Sequence, residues 1–119
     1  MIRGVVTATG VPTITLTIAG RDWAATIDTG FNGDLELPAS LRSSVNARYF
    51  GRVTATLAAG LSVTEEVYIV DFPFDGVELQ AEATFVDSNQ LLIGTHLLQN
   101  YLLRIDFVHG IVELERQQN

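Results

Sequence analysis

The sequence has no cysteine and no lysine, and it contains only two histidines, His96 and His109. Without cysteine the chain can form no disulfide framework, thiolate metal site or cysteine nucleophile, which fits a reducing compartment. Without lysine it cannot form a Walker-type phosphate loop. Two scattered histidines are too few for a histidine-rich metal cage, so we expect no metal site.

Basic residues of any kind are scarce. Seven arginines face 14 acidic residues, which gives a formal net charge of −7. Such a charge repels a phosphate backbone, so we expect no nucleic-acid partner. No apolar run approaches the length of a membrane span, and residues 1–5 do not resemble a secretory signal. We therefore expect a soluble, cytoplasmic protein without a membrane partner.

The apolar residues that are present indicate a small all-β protein. They make up 47% of 119 residues, enough for the core of one domain, which we expect to span residues 1–119. Apolar and polar residues alternate over short runs, as in strands with one buried face. The predicted strands are residues 13–18, 23–27, 77–85, 103–107 and 111–115.

Helix signals are limited to two short segments. Pro38 can open a helix that extends to Ser43, because proline is tolerated in a first turn. Residues 95–101 carry more signals, since Thr95 can cap the N-terminus and apolar side chains recur at three- and four-residue spacing. We predict a short helix over this second segment.

The most informative segment follows the strand at residues 23–27. Asp28 ends this apolar strand, where burial of a carboxylate is costly unless neighbours hydrogen-bond it or it keeps a proton. Thr29 then supplies a hydroxyl, and Gly30 can bring its amide close to a carboxylate because it has no Cβ. A turn-forming aspartate would explain the same position without any chemistry.

The triplet Asp28, Thr29 and Gly30 after an apolar strand resembles the active-site signature of aspartic proteases, and a single copy resembles the retroviral type. Other segments resemble the same family in the expected order. Residues 11–20 resemble the paired strand before the signature, and residues 53–69 resemble the flap hairpin that closes over the substrate. Residues 91–94, in which hydrophobic residues lead to Gly94, followed by Leu97 and Leu98, resemble the second hallmark of the family, two hydrophobic residues and a glycine that lead into a short helix. The chain is therefore similar to small retropepsin-like proteases of microbes.

This resemblance implies a fold, an activity and a set of site residues. The fold would be a retropepsin-like closed small β-barrel with a flap hairpin and one short C-terminal helix, acting as a symmetric homodimer. Each subunit would supply one catalytic Asp28 to a pair that activates water against a peptide bond, with Thr29 and Gly30 lining the active-site fork. The substrate would be an extended peptide or protein, and no cofactor is required. The substrate-binding flap and walls would comprise Phe31, Asn32, Ala58, Ala59, Gly60, Leu61, Ile93 and Gly94.

The resemblance also implies that terminal strands help to hold the dimer. Residues 5–9 and 111–115 are the candidates, although nothing in the sequence fixes their pairing. The Thr29 hydroxyl would bond across the two-fold axis.

Departures from the family pattern leave a second hypothesis open. Phe31 replaces the alanine that follows the triplet in retroviral enzymes, and Asn32 and Thr95 replace an acid and an arginine that pair beside the site. Because both ends of that ion pair are absent together, we expect a rebuilt subsite wall. The flap tip carries only alanine, glycine and leucine. The alternative is a non-catalytic, protease-like module that binds peptides or assembles subunits.

Other interpretations concern single features. An unrelated small β-barrel that binds a ligand is a third hypothesis. A calcium loop starting at Asp28 is disfavoured, because Gly30 and Ala39 stand where an EF-hand needs ligands. His96 is interpreted as a surface residue, and the remaining acids are interpreted as a solvated rim formed by Glu65, Glu66, Asp71, Asp75 and Asp87.

Overall fold

The computed structural model describes residues 1–118, except the side chains of Ala55 and Ala58. In this part of the chain ten strands form one sheet, and the helical segments are two three-residue 3-10 helices, Ala39–Leu41 and Ala58–Gly60. The all-β prediction is therefore confirmed. The strands are β1 (Ile2–Val6), β2 (Pro12–Ile18), β3 (Arg21–Ile27), β4 (Leu35–Pro38), β5 (Ala47–Thr56), β6 (Ser62–Phe74), β7 (Val77–Val86), β8 (Leu91–Ile93), β9 (Tyr101–Asp106) and β10 (Ile111–Arg116).

The strands of the sheet follow the order β5-β6-β7-β4-β8-β3-β2-β1-β10-β9. Most neighbours are antiparallel, but β3 pairs with β8 and β4 pairs with β7 in parallel. The sheet folds back on itself so that β2 contacts β6, which encloses the core as the predicted barrel requires. Its hydrogen-bonded ladder does not close completely, because β5 and β9 remain as the two edges.

The core forms where the alternating strands turn their apolar sides inward. Ile14, Leu16 and Ile18 of β2 are at most 2% exposed, whereas Thr15 between them is exposed. Full burial of each such side chain contributes about 1.5–3 kcal/mol relative to exposure. The same alternation recurs in β10, so the two-residue period predicted from the sequence is confirmed in both strands.

The predicted helix over residues 95–101 is not formed, because this segment is a run of turns. Its first amides donate to carbonyls of another loop, and later amides reach back only three residues, as from Leu98 to Thr95 (3.1 Å). Since β9 begins at Tyr101, too few residues remain to propagate an α-helix. The helix predicted from Pro38 is reduced to Ala39–Leu41. Within residues 1–118 no helix has the length and apolar character needed to cross a membrane.

The terminal strands find their partners within the same chain. β1 lies between β2 and β10, so that Val5 pairs with both Thr13 and Ile111. β10 in turn lies between β1 and β9. Because β10 is paired on both sides, it has no free edge for an intersubunit ladder, and the expectation that residues 5–9 and 111–115 hold a dimer stays a prediction. The free edge in this half of the sheet is β9.

The predicted flap hairpin is formed by β5 and β6. The two strands pair along their length as far as Thr56 and Ser62. The connecting tip is closed by the Leu57 N–H, which donates to the Leu61 carbonyl (2.6 Å). This hairpin lies at the edge of the sheet opposite to β9, and it faces the loop that follows β3 across a cleft.

Candidate active site

Asp28 stands at the carboxyl end of β3, in the middle of the sheet. The Asp28 N–H continues the ladder between β3 and β8 by donating to the Ile93 carbonyl (2.9 Å). The residue is half-buried, and Oδ1 of its carboxylate accepts a hydrogen bond from the Gly30 N–H (2.9 Å). A backbone amide thereby orients the acid that the sequence pattern singled out.

The turn after Asp28 depends on the residue types of the triplet. A Cβ at Gly30 would lie 3.3 Å from Asp28 Oδ1, so a larger residue would crowd the carboxylate that the amide binds. The Phe31 N–H closes the turn onto the Asp28 carbonyl (3.1 Å). Thr29 and Gly30 are exposed on the outside of this turn, where a second molecule can reach them. We call residues 28–34 the Asp28 loop.

A second loop, residues 93–96, supports the Asp28 loop from behind. The Gly94 N–H donates to the Asp34 carbonyl (3.0 Å). A Cβ at Gly94 would lie only 2.1 Å from the Gly33 carbonyl oxygen, so glycine is required for the two backbones to approach this closely. Ile93 is 0% exposed and Gly94 is also buried. These two predicted wall residues therefore lie behind the loop and do not line the cleft.

The two positions that lack the expected ion pair are connected differently. Thr95 donates its N–H (2.8 Å) and its hydroxyl (3.3 Å) to the Phe31 carbonyl, while Asn32 is exposed. An acidic and a basic residue do pair slightly farther along the same two loops, where Asp34 Oδ1 and His96 Nδ1 are 2.6 Å apart. His96, interpreted from the sequence as a surface residue, is thus exposed but bound to a buried carboxylate.

A cleft of about 470 Å³ separates the Asp28 loop from the flap hairpin. On the loop side it is lined by the predicted wall residues Phe31 and Asn32 and by the predicted fork residue Gly30. The floor includes residues that the sequence reasoning did not select. These are Gly33, Asp34, Leu35 and Glu36 from the loop and β4, and Glu82, Ala83 and Thr84 from β7.

The flap side of the cleft is lined by the strands near the tip. Val53, Thr56 and Leu57 contribute from β5 and the residue after it, and Glu65 and Val67 contribute from β6. The predicted flap residues Ala59, Gly60 and Leu61 are exposed and lie beyond this lining. The side chain of Ala58 lies outside the described residues.

Carboxylates influence one another inside the cleft. Burial raises the pKa of Glu36, and the nearby charges of Glu65 and Asp28 raise it further. Glu65 therefore belongs to the cleft and not to a solvated rim. The sequence does mark Glu36 as a candidate site residue, because it is an acid placed between two leucines, Leu35 and Leu37, which are buried. Across residues 1–118 no group of three or more histidine, aspartate or glutamate side chains could hold a metal ion.

Replacement of Glu36 with glutamine should stabilise the folded chain at neutral pH. A raised pKa means that the folded chain holds this proton more tightly than the unfolded chain, so stability falls as pH rises through the folded pKa. Glutamine carries no titratable proton, so it removes this pH-dependent loss of stability. Urea unfolding from about pH 4 to about pH 8 should show a smaller loss of unfolding free energy for Glu36→Gln than for the wild type. Glu78→Gln, at an exposed position of β7, serves as the control and should follow the wild type. An unchanged pH slope in Glu36→Gln would refute this prediction.

Comparison with known proteins identifies the fold. No protein-family model and no curated protein matches the sequence. A retropepsin-like aspartic protease from Rickettsia conorii matches with a TM-score of 0.65 and 19% identity, covering 95% of this chain and 88% of that chain. EIAV protease in complex with the inhibitor HBY-793 matches with a TM-score of 0.60 and 17% identity, covering 78% and 89%. Simian foamy virus (mac) protease matches with a TM-score of 0.57 and 17% identity, covering 73% and 91%. The chain therefore has the retropepsin fold.

Proposed function

We propose that this protein is an aspartic endopeptidase that acts as a homodimer, with Asp28 as its catalytic residue and Thr29 and Gly30 as the active-site fork. One observation carries the proposal: a half-buried carboxylate, oriented by the Gly30 amide at 2.9 Å, stands beside a cleft that a β-hairpin covers. The retropepsin fold supports the same function, because the chain shares it with a retropepsin-like aspartic protease and with retroviral proteases.

The chemistry requires two carboxylates in one site. Like charges a few ångströms apart in a poorly solvated site resist double ionisation, so the pair shares one proton. The ionised Asp28 takes a proton from water as the water oxygen attacks the peptide carbonyl, and the protonated Asp28 of the second subunit stabilises the developing oxyanion. A proton then passes to the leaving nitrogen and the C–N bond breaks, which yields a carboxylic acid and an amine. The protein's own carboxylates supply all of these steps.

The proposed site is complete only in a symmetric dimer, because each chain carries a single Asp28. Thr29 and Gly30 are exposed on the Asp28 loop, available to the same residues of a second copy across the two-fold axis. Further contact area is offered by the free edge of β9 and by the turn after it, where Phe107 and Val108 are 65% and 88% exposed.

The cleft suits an extended peptide. Its backbone can hydrogen-bond to the walls as an added strand, while side chains occupy alternating sides. Phe31 offers an apolar contact from the loop and Leu57 offers one from the flap hairpin. Ala59, Gly60 and Leu61 at the tip reach the peptide when the hairpin closes over it.

Cleavage by the purified protein should depend on its own concentration. At mildly acidic pH it should hydrolyse an unfolded polypeptide, and the rate per subunit should rise with protein concentration until the dimer saturates. A statine-type mimic should inhibit, because its hydroxyl occupies the place of the attacking water between two carboxylates. Sedimentation equilibrium on the same samples measures the dimer fraction. A rate per subunit that stays constant while the dimer dissociates would contradict the shared site.

A second candidate is a protease-like module that binds peptides without cutting them. The composition of the flap tip favours it, because Ala59, Gly60 and Leu61 provide no aromatic or hydroxyl group to grip a substrate. This candidate predicts saturable peptide binding without turnover. Hydrolysis that the statine-type mimic inhibits would exclude it.

A further inference from the structure

Asp34 is a buried carboxylate that the proposed chemistry does not use. Its side chain is 8% exposed, and both of its oxygens have partners. Oδ2 accepts a hydrogen bond from the Glu82 N–H of β7 (2.9 Å), and Oδ1 lies 2.6 Å from Nδ1 of His96. The Asp34 carbonyl also accepts from the Gly94 N–H (3.0 Å). One residue therefore ties together the Asp28 loop, the loop behind it and β7.

The two hydrogen-bond partners of the Asp34 carboxylate, the Glu82 amide and the His96 ring, respond differently to pH. A buried carboxylate is tolerated only while its hydrogen bonds compensate for the lost water. The Glu82 amide donates at any pH. As imidazolium, the His96 ring both donates a hydrogen bond to the carboxylate and attracts it as an opposite charge, whereas a neutral ring keeps at most the hydrogen bond and loses the attraction between opposite charges. Because this ring is 57% exposed, it exchanges protons with the solvent.

We propose that Asp34 and His96 form a positioning pair that holds the Asp28 loop, which the Glu82 amide joins to β7, against the loop at residues 93–96, and that this hold loosens when His96 loses its proton. The consequence for catalysis rests on the proposed function, whereas the hold itself does not. In the structure Asp34 of the loop and Glu82 of β7 are the charged groups that act on His96. In this proposal His96 does not contact the substrate, and it acts only by binding Asp34.

The direction of the pH effect follows from these neighbours. The hydrogen bond from His96 to Asp34 raises the pKa of the imidazole most, and the charge of Asp34 raises it further. Burial lowers this pKa, and the charge of Glu82 makes the smallest contribution, in the raising direction. A histidine pKa that is raised in the folded chain gives a stabilisation that is complete below the unfolded pKa. This stabilisation is lost as pH rises through the folded pKa.

Amide hydrogen exchange in the full chain tests the hold without any need for catalysis. The reporters are the Gly94 and Thr95 N–H groups, which bridge the two loops, and the reference is Ile14 in β2. We expect reporter protection, corrected for the intrinsic pH dependence, to fall several-fold relative to Ile14 as His96 loses its proton. In His96→Asn it should be low at every pH. In His96→Arg, which keeps a permanent cation, it should stay high.

The chain offers a matched control for these variants. His109 pairs with Asp106 in the turn after β9 at 2.7 Å, but both of these side chains are largely exposed. His109→Asn should leave the reporters unchanged, and it assigns the two histidine NMR signals, so that the titration of His96 is read directly. The proposal would be overturned if protection of the Gly94 and Thr95 N–H groups changed neither with pH nor in His96→Asn. An equal loss at Ile14 would overturn it too, because the pair would then act only on global stability.

Peptide cleavage tests the catalytic consequence separately. His96→Asn should lower kcat about tenfold with little change in KM, because a displaced Asp28 impairs the reaction more than substrate binding. His96→Arg should restore kcat. Lost protection with a full kcat would overturn the catalytic consequence and leave the hold intact. A wild-type chain that cleaves no peptide would refute the proposed function, and hydrogen exchange would still decide the hold.

Discussion

The Asp28→Asn variant is expected to fold as the wild-type chain does and to lose at least about a thousandfold in kcat/KM for peptide cleavage. Asparagine keeps the shape of aspartate, and its amide oxygen can still accept the bond from the Gly30 N–H. It cannot take a proton from water or share one with a second carboxylate. Initial rates on an unfolded polypeptide measure the loss, and a circular dichroism melt verifies the fold.

Two controls make this result specific. Asp22→Asn changes an exposed aspartate on the same strand, β3, and should leave cleavage nearly unchanged. Subunits of Asp28→Asn added in excess to a fixed amount of wild type should suppress cleavage, because mixed dimers contain one carboxylate instead of two. Cleavage that survives undiminished in Asp28→Asn would remove this residue from the mechanism.

Gly94→Ala should cost about 3 kcal/mol or more of the free energy of unfolding, which places it among the most damaging substitutions in the chain. The added Cβ would lie 2.1 Å from the Gly33 carbonyl oxygen and 2.8 Å from a ring carbon of Phe31. The Gly33 carbonyl is itself held by the His96 N–H (3.2 Å), so the backbones must separate instead of shifting locally. Urea unfolding measures the loss, and cleavage should fall with it because the Asp28 loop is displaced.

Gly76→Ala separates this clash from the general cost of replacing glycine. Gly76 lies in the turn between β6 and β7 with φ of 81° and no heavy atom within 4 Å of an added Cβ. Its replacement costs only the left-handed backbone strain, about 1–2 kcal/mol. Equal losses of unfolding free energy in Gly94→Ala and Gly76→Ala would show that the contact between Gly94 and the Gly33 carbonyl is not tight.

The features that sequence reasoning predicted are local or periodic. The two-residue alternation in β2 marks the buried face correctly because each side of a strand has its own environment. The flap hairpin is equally visible, because its two strands flank a small-residue turn. The Asp28 triplet is recognisable because it combines an acid, a hydroxyl and a glycine over three consecutive positions, and the retropepsin fold is confirmed around it.

The features that sequence reasoning missed depend on contacts between distant segments. Asp34 and His96 are 62 residues apart, and neither is unusual in its local sequence. The run of turns at residues 95–100 reads as a helix because its apolar spacing is helical, but its first amides are used by the Asp28 loop. Glu65 reads as a surface acid in an alternating strand, and only the folding of the hairpin over the loop brings it into the cleft.

The pairing of β1 and β10 inside one chain has a consequence for how the proposed protease would be controlled. Because both terminal strands pair within the subunit, the proposed protease would not need a partner strand to finish folding. Where subunits must exchange strands, maturation and assembly are a single event. In the proposed protease, folded but inactive subunits would accumulate first. Proteolysis would begin only above a threshold concentration, since dimers form with the square of the subunit concentration while they are rare. Synthesis and activation of such an enzyme would thereby be separate events.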